Sequence, residues 1–342
     1  MAIDANAYSP KQFSFLIAEQ DDFGTFNLDS TGGETRDAND YVAVDVDSVG
    51  SPSLNLNQVI EPRTGSRVLQ ATDFFQDNKA KVIEISVSGT ATTEVLDMLL
   101  SNITNDATVP YAVESNELSQ TFTAESTDQQ DMQIFSIAYK SPSSGNTLGF
   151  KDCFCTNLSL NGDVGTEGGR VKFSATFKTG SLPEDLTSTD IDIDTAITAN
   201  NYHMCGWDAN DRIVAGIANC LVNSFTLNID NDMVFGGCTS TGYELATRVG
   251  EISATADFNI KYDANTDVMF ENFHDQVAGA SEGETLMNHQ ASLVDGNFGF
   301  KFASSIMTNV AMSEGDMMNL DVSVKAVGAG IGSSTALFEV AC

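Results

Sequence analysis

In residues 252–277 the spacing of the apolar residues changes from the period of a strand to that of a helix. This change limits the folds that the chain can adopt. From Ile252 to Tyr262 apolar and polar residues alternate without a break, which is the period-two pattern of a strand with one buried and one solvent-facing side. Thr266 and Asp267 then begin a segment whose apolar residues recur at helical spacing, namely Met269, Phe270, Phe273 and Val277. The pattern predicts a long strand followed directly by a short helix.

A weaker copy of this unit lies in the first half of the chain. Residues 83–88 alternate, and Thr93-Glu94 opens a helical stripe of apolar residues: Val95, Leu96, Leu99, Leu100 and Ile103. The tripeptide Glu-Ile-Ser occurs in both units, beginning at Glu84 and at Glu251. We therefore expect the same strand–helix unit twice.

The clearest internal match is a pair of hairpins. Residues 150–180 lie over residues 300–328, and both read Phe-Lys, strand, Thr-Asn, strand, an acidic glycine-containing turn, and a strand ending in lysine and glycine. Lys178 corresponds to Lys325. These matches predict an internal duplication with a mainly β fold: two tandem β-sandwich or barrel-forming domains, each with one short α-helix.

Composition places the boundaries of these units. Residues 1–50 hold ten acidic and two basic residues and include one predicted strand, residues 13–19. Residues 180–201 contain Pro183 and several acids but no base, which is typical of a solvated linker. The predicted organisation is an acidic N-terminal arm, a first β domain, an acidic linker, a second β domain and a small-residue C-terminal tail, at residues 1–50, 51–180, 181–200, 201–329 and 330–342.

Net charge is the strongest compositional constraint on partners. The 342 residues carry 48 acidic and 16 basic side chains, a formal charge of −32. Proteins bind double-stranded DNA by neutralising its phosphates with cationic groups. The excess of acidic over basic residues therefore predicts that this protein has no surface that binds double-stranded DNA. Adaptation to high salt is an alternative source of the same acidity.

The sequence also bears on the compartment in which the protein is made. The N-terminal stretch MAIDANAYSPKQFSF lacks a charged segment followed by an apolar one, and no apolar run approaches membrane-spanning length. Six cysteines in 342 residues are too sparse for a disulfide scaffold. We expect free thiols, assembly in a reducing cytoplasm and no membrane anchor.

Three motifs match parts of known catalytic or metal-binding patterns, but each lacks a feature that its pattern requires. Residues 279–283 match the G-x-S-x-G nucleophile elbow, which requires a strand before it and a helix after it, whereas the pattern here predicts a helix before it and a polar loop after it. Cys153 and Cys155 share a strand face, but no second cysteine pair at zinc spacing accompanies them. The acids of residues 190–194 lack the glycine and terminal glutamate of a calcium loop. We expect neither enzyme activity nor a metal or cofactor site.

The chain resembles the major tail tube proteins of long-tailed bacteriophages over residues 13–328. The resemblance is carried by Phe-Leu-Ile-Ala-Glu at residues 15–19 followed by Phe-Gly-Thr at residues 23–25. It is also carried by the strand–helix unit at residues 250–277, by its copy at residues 84–103, and by the paired hairpins.

The resemblance implies a specific assembly. In that family a β-sandwich domain contributes a four-stranded sheet to a continuous β-barrel that lines the tube, and six domains close each ring. Most members carry one domain, so a duplicated chain implies trimeric, pseudo-hexameric rings, with a hexamer as the alternative. The implied partners are further copies of the chain, a tail terminator, baseplate or tail-tip proteins, and a tape measure protein during assembly. The implied location is the tail of a virion.

A lumen can be assigned on the same basis. We expect the two longest solvent-facing strand faces to line it and to repel DNA phosphates, through Glu84, Ser86, Ser88, Glu251, Ser253, Thr255 and Asp257. The outer surface of the assembly is the alternative location for these faces. The competing class of protein is a secreted or surface-layer, adhesin-type β-repeat binding module, which alternating strands, acidity and duplication also fit.

Overall fold

A computed structural model gives the fold. It describes residues 13–20, 22–26, 41–44, 46–49, 58–60, 68, 70, 73–76, 82–104, 119–123, 134–140, 147–166, 169–186, 191, 212–238, 242–248, 252–274, 282–287, 298–315, 317–328 and 336–341.

The described residues are mainly in β-strands. In the N-terminal half the strands are β1 (Ser14–Gln20), β2 (Val42–Ala43), β3 (Val46–Val49), β4 (Gln58–Ile60), β5 (Phe74–Gln76), β6 (Ile83–Thr90), β7 (Ser119–Thr123), β8 (Ile134–Lys140), β9 (Thr147–Asp163), β10 (Lys172–Thr179) and β11 (Glu184–Leu186). In the C-terminal half they are β12 (Arg212–Val214), β13 (Ile217–Ala218), β14 (Val222–Asp230), β15 (Met233–Cys238), β16 (Tyr243–Arg248), β17 (Ser253–Lys261), β18 (Glu282–Met287), β19 (Gly299–Glu314), β20 (Met318–Ala326) and β21 (Ala336–Ala341). The helices are α1 (Thr93–Thr104) and α2 (Asp267–His274).

Eight strands form one continuous antiparallel surface, in the order β3, β6, β10, β9, β14, β17, β20, β19. The first four strands come from the N-terminal half of the chain and the last four from the C-terminal half. β9 joins the two groups by pairing with β14. We call the groups the N-terminal and C-terminal half-sheets. Strands β3, β6, β10 and β9 occupy the same places in the first group as β14, β17, β20 and β19 occupy in the second.

Strict alternation gives this surface one apolar and one polar side. In β6 buried and solvent-facing residues alternate from Ile83 to Ser88, and in β17 they alternate along the whole strand. The predictions of a strand and a following helix in each half are confirmed by β6 with α1 and by β17 with α2. The alternation works because neighbouring side chains of a strand point to opposite faces.

Two long strands connect this surface to the rest of the fold. The first part of β9 pairs with β8 and β11, and the first part of β19 pairs with β18 and β21. β8 pairs in turn with β1, and β18 pairs with β12. The largest buried apolar cluster extends over both halves of the chain, from Phe15 to Val340, and a small cluster joins Phe154 to Met233 and Phe235.

The helices close over the apolar side and begin at side-chain caps. α1 buries four leucine and valine side chains, Val95, Leu96, Leu99 and Leu100, and the Thr92 hydroxyl accepts a hydrogen bond from the Val95 N–H at 3.4 Å. Before α2, the Asp263 N–H donates to Thr266 Oγ1 at 2.8 Å and the Thr266 N–H donates to Asp263 Oδ1 at 3.3 Å. Met269 is the fully buried residue through which α2 packs on the core.

The expected arm, linker and tail contain strands. In residues 1–50, where the acidic composition predicts an arm, the strand predicted at residues 13–19 is confirmed by β1, which buries Leu16 and Ile17, and strand β3 is present in addition. β11 lies in residues 181–200 and pairs with β9. β21 lies in residues 330–342, buries Phe338 and pairs with both β19 and β7. Short apolar runs such as Phe-Leu-Ile-Ala make these segments form strands, because the free energy gained by burying their side chains exceeds the cost of placing acidic residues nearby.

The pairing corrects one further expectation. The two halves share one sheet, which the described strands do not close, and they share the largest buried apolar cluster; the ring-shaped barrel expected for the assembly stays a prediction. The Glu-Ile-Ser tripeptides are not at equivalent positions. Lys178 pairs through its strand with Glu84, whereas Lys325 pairs with Thr255. Glu84 therefore corresponds to Thr255, and Glu251 lies outside the described residues.

Candidate functional site

The polar side of the eight-stranded surface is the broadest candidate site. It presents mostly hydroxyl and amide side chains, such as Ser86 on β6, Ser159 and Asn161 on β9, and Thr226 and Asn228 on β14. The opposite side of the same strands carries buried residues of the core cluster. A polar face of this width on a twisted sheet suits contact with water or with a hydrated ligand more than burial against another apolar layer.

Six of the seven residues predicted to line a lumen lie on this polar face. Glu84, Ser86 and Ser88 lie on β6, and Ser253, Thr255 and Asp257 lie on β17. The strands β10, β9 and β14 separate these two rows, so the structure places both rows on one surface rather than on two. The seventh residue, Glu251, lies outside the described residues.

Charges of both signs occur on this face. Its carboxylates are Asp47, Glu84, Asp163, Asp230, Asp257 and Asp321, and its lysines are Lys172, Lys178, Lys261 and Lys325. Lys172 lies 2.9 Å from Asp47, and Lys178 lies 2.9 Å from Asp232. Six carboxylates against four lysines account for only a small part of the net charge of −32. The acidity predicted for this surface is therefore moderate on its described strands.

The second candidate is the contact between the half-sheets. Seven residue pairs join β9 to β14, from Asp163 opposite Ser224 to Asn157 opposite Asp230. Leu160 lies opposite Leu227, and both side chains are fully buried. Beyond the strand, the Asn231 N–H donates to the Thr156 carbonyl at 2.9 Å. We call these contacts the internal joint.

Helix α1 also takes part in the internal joint. The Asn231 side chain is 3% exposed, and its Nδ2 donates to the Ile103 carbonyl at 2.9 Å. Ile103 lies in the last turn of α1. The backbone carbonyls there receive no hydrogen bond from an N–H of the same helix, so they need donors from elsewhere. Asn231 of the C-terminal half thus contacts a strand of the N-terminal half through its backbone N–H and a helix of that half through its side chain.

The β15–β16 hairpin adds a further contact between the two halves. Phe235 stacks at a tilt on Phe154 with ring centroids 6.0 Å apart, and the Tyr243 N–H donates to the Gly180 carbonyl at 3.1 Å. A Cβ atom at Gly180 would lie 2.6 Å from the Tyr243 ring, so the close approach requires glycine there. The glycines of this segment, Gly236, Gly237 and Gly242, are typical of a loop, so the sequence pattern does not indicate its two strands.

The two ends of the eight-stranded surface form a third candidate. Among the described strands, β3 pairs only with β6 in this surface. On β19, residues 300–306 pair with β18, but the same side of residues 307–314 has no partner among the described strands. We call residues 307–314 of β19 the open edge. Open strand edges present unpaired N–H and C=O groups and favour association with another strand.

Apolar side chains are exposed at the open edge. Met312 is 46% exposed and Met318, on the neighbouring strand, is 45% exposed. Exposed methionines suit protein contacts because the side chain is flexible and polarisable. The sequence signal for this edge is the methionine-rich stretch of the second hairpin, which composition alone does not distinguish from core.

A buried carboxylate organises the region beside the joint. Asp152 has a left-handed backbone with φ of 53° and is 1% exposed. Its Oδ1 accepts hydrogen bonds from Gln20 Nε2 and from the Gly24 N–H, each at 2.7 Å, and its Oδ2 accepts one from the Ser181 hydroxyl at 2.5 Å. The network ties β1, β9 and the segment after β10 together, and its hydrogen bonds satisfy both oxygens of the carboxylate.

The motifs with a chemical interpretation are positioned as follows. Cys153 and Cys155 are fully buried, and burial raises the pKa of the Cys155 thiol to about 12, which disfavours the reactive thiolate. The last two residues of the G-x-S-x-G motif, Glu282 and Gly283, begin strand β18, and its other residues lie outside the described ones. Within the described ranges, no group of three histidine, cysteine, aspartate or glutamate side chains is placed to hold a metal ion.

No family model matches the sequence, and no curated protein matches it. Among the helices that the structure describes, neither is long and apolar enough to cross a membrane.

Proposed function

We propose that the chain is a structural subunit that associates head to tail into rings, and that stacked rings form the tube of a bacteriophage tail. The observation that carries the proposal is the repeated strand order: the same four-strand arrangement occurs twice in one surface, with its polar sides aligned. In these two joined four-strand arrangements the two outer edges have no partner among the described strands of this surface, so they can continue the series in other chains.

The geometry of such an association is heterologous. The edge at β3 differs from the edge at β19, so one chain offers its first edge to the last edge of the next chain, and the series closes into a ring when the rotation between units permits it. Closure removes the open edges that are otherwise an aggregation liability. Trimeric rings, with six half-sheets, follow from the tube proteins that the sequence resembles, and hexameric rings are the alternative.

The polar face supports the role of a conduit. In a ring it becomes the lumen, lined by Glu84, Ser86, Ser88, Ser253, Thr255 and Asp257, with Glu251 as a further proposed member. Hydroxyl and amide groups attract phosphate weakly, and two of the four lysines are held by Asp47 and Asp232. Because phosphate binding depends on available cationic groups, DNA can pass over this surface without specific binding. The proposed partners besides further copies are a tail terminator, baseplate or tail-tip proteins, and a tape measure protein.

Electron microscopy of the purified protein at rising concentration tests the proposal. We expect hollow filaments of stacked rings, whose averaged end views distinguish three chains from six. A protein that stays as separate, uniform particles at all concentrations, also after a tail-tip initiator is added, contradicts it. Such a result would favour the surface-layer or adhesin-type binding module instead.

The lumen assignment has its own test. The E84Q/D257N variant neutralises two exposed carboxylates of the polar face while keeping side-chain size, so we expect unchanged tube assembly. Genome delivery by phage carrying the variant should slow, because a less acidic bore holds DNA phosphate more. Wild-type delivery with normal tubes would place this face on the outside of the assembly.

A further inference from the structure

We infer that the chain binds a second copy of itself through a joint with the same register as its internal joint: the C-terminal end of the open edge of β19, together with Gly315, pairs antiparallel with β3 of the next copy. This inference rests on the head-to-tail association proposed above and adds to it the partner strand, its direction and its register. Three independent correspondences between the halves support it.

The first correspondence identifies β3 with β14. The two strands read Val46-Asp-Ser-Val and Val222-Asn-Ser-Phe. In each, the pairing with the next strand shifts at the second residue, between Val46 and Ser48 in β3 and between Val222 and Ser224 in β14. A β-bulge at the same place gives both strands the same bend and local twist. β3 therefore offers the edge that β14 offers to β9.

The second correspondence identifies the open edge with the part of β9 that receives β14. The register shifts after Cys155 in β9 and after Met307 in β19, so that Thr156 and Thr308 are the bulged residues. Thr156 Oγ1 donates to the Thr176 carbonyl and Thr308 Oγ1 donates to the Ser323 carbonyl, each at 3.2 Å. The two receiving edges thus share their bulge and the side-chain hydrogen bond that fixes it.

The third correspondence is a difference in burial. Leu160, in the joint, is fully buried, whereas its equivalent Met312, at the open edge, is 46% exposed. Val171 is fully buried and its equivalent Met318 is 45% exposed, although the carbonyl of each accepts the same backbone hydrogen bond, from Ala91 and from Tyr262. Apolar side chains on the apolar side of a strand edge are the ones that a further paired strand would cover. A second copy of the chain supplies that strand.

The internal joint predicts the register of the new one. Asp163 lies opposite Ser224, and Gly162 lies opposite Phe225. Through the two bulges, Gly315 and Glu314 correspond to Asp163 and Gly162, while Ser48 and Val49 correspond to Ser224 and Phe225. Gly315 of one copy therefore lies opposite Ser48 of the next copy, and Glu314 lies opposite Val49.

Cysteine cross-linking tests this register. Directly opposed residues of antiparallel strands have Cα atoms about 4.5–5.5 Å apart, within the range of a disulfide. In the S48C/G315C variant, oxidised glutathione should link chains of 36.5 kDa into covalent dimers and larger oligomers. Each new disulfide forms by oxidation of two protein thiols, and the glutathione disulfide is reduced to two glutathione thiols. The D163C/S224C variant is the matched internal control and should form its disulfide within one chain.

The S48C/S313C variant tests a register shifted by two residues. Its Cα atoms would lie about 7–8 Å apart on the diagonal, so its covalent oligomers should be at least about tenfold fewer. Equal linking in both variants, or no linking of S48C/G315C while D163C/S224C closes its internal disulfide, overturns the inference.

The same samples separate this inference from the proposed function. Tubes in the electron microscope without the S48C/G315C link would leave the tube proposal standing and reject the register. The link without tubes would establish the strand pairing between copies and reject the tube.

Discussion

Leu160 and Met312 stand at equivalent positions of β9 and β19, yet one is fully buried and the other is 46% exposed. Both strands carry the same bulge and the same threonine hydrogen bond, so the local backbone does not explain the difference. The neighbouring strand explains the difference in exposure, because β14 covers Leu160 whereas no described strand covers Met312. The internal joint thus shows how far the edge residues of a half-sheet are buried when a second half-sheet pairs with them. The open edge shows how exposed the equivalent residues are without such a partner among the described strands.

The largest predicted effect contrasts these two residues. Leu160→Ala should lower the free energy of unfolding of the unassembled chain by about 2–5 kcal/mol, because it removes buried methyl groups and leaves a cavity. Met312→Ala should lower it by less than about 1 kcal/mol, because the side chain is already half exposed. Urea unfolding at low protein concentration measures both.

Association between chains should depend on Met312, although the stability of the single chain depends mainly on Leu160. Met312→Lys is expected to leave the stability of the single chain unchanged while abolishing association in sedimentation experiments, since burying an unpaired ammonium at a strand joint is costly. Equal losses of stability for Leu160→Ala and Met312→Ala would mean that Met312 is already covered, and the comparison would fail.

The next effect concerns the side chain that binds across the internal joint. Asn231→Ala removes the Nδ2 donor from the Ile103 carbonyl and should cost about 1–3 kcal/mol, because Asn231 is buried. Asn223→Ala is the matched control. Asn223 is exposed and hydrogen-bonded to Asn259 at 2.8 Å, and its loss should stay within about 0.5 kcal/mol. Similar costs for the two asparagines would show that the joint does not depend on this contact.

The two bulge threonines provide a smaller, matched contrast. Thr156→Val and Thr308→Val remove the same hydrogen bond, but Thr156 is buried and Thr308 is exposed. We expect a loss of about 1 kcal/mol for Thr156→Val and a few tenths for Thr308→Val in the unassembled chain. If pairing with a second copy extends along the open edge and covers Thr308, the thermal stabilities of the assembled variants should become similar. A persistent difference in the assembled state would argue against the shared register.

The smallest effect is electrostatic. Hydrogen bonding to Lys178 lowers the pKa of Asp232 below its ordinary value of 3.8. The folded-state pKa is thus below the unfolded one, so the stabilisation is fully present above about pH 4 and is lost as the pH falls through the folded pKa. Asp232 is largely exposed, so Asp232→Asn should cost at most about 1 kcal/mol at pH 7. The cost should fall as the pH drops through the folded-state pKa of Asp232, and it should be smaller in high salt. A cost that persists once Asp232 is protonated would show a role other than the ion pair.

Several parts of the fold could be predicted from the sequence because their signals are local. The alternation of residues 252–262 and the following helical spacing appear as β17 and α2, and the corresponding unit in the first half appears as β6 and α1. The correspondence of Lys178 with Lys325 agrees with the strand pairing, which places Phe154 and Ile306 opposite them. A period of two or 3.6 residues reports which side of an element is buried, and that information lies in adjacent residues.

Other parts of the site could not be predicted, since their signals are not local. The short strand β3 lies in an acidic segment, and the Val-Asp-Ser-Val match to β14 becomes meaningful only when the shared bulge is seen. The hairpin β15–β16 depends on packing against Phe154 and Gly180. The Asp152 network joins residues far apart in the chain, including Gln20 and Ser181.

The sequence by itself determined that this protein is mainly β, that its pattern occurs twice and that its strands have one polar side. The tertiary structure decided that the two halves share one sheet through β9 and β14, that the polar rows of β6 and β17 lie on one face, and that Met312 stands uncovered where Leu160 is buried. The physical reason is that alternation fixes the side to which each residue points, whereas burial at an edge depends on which strand lies beside it.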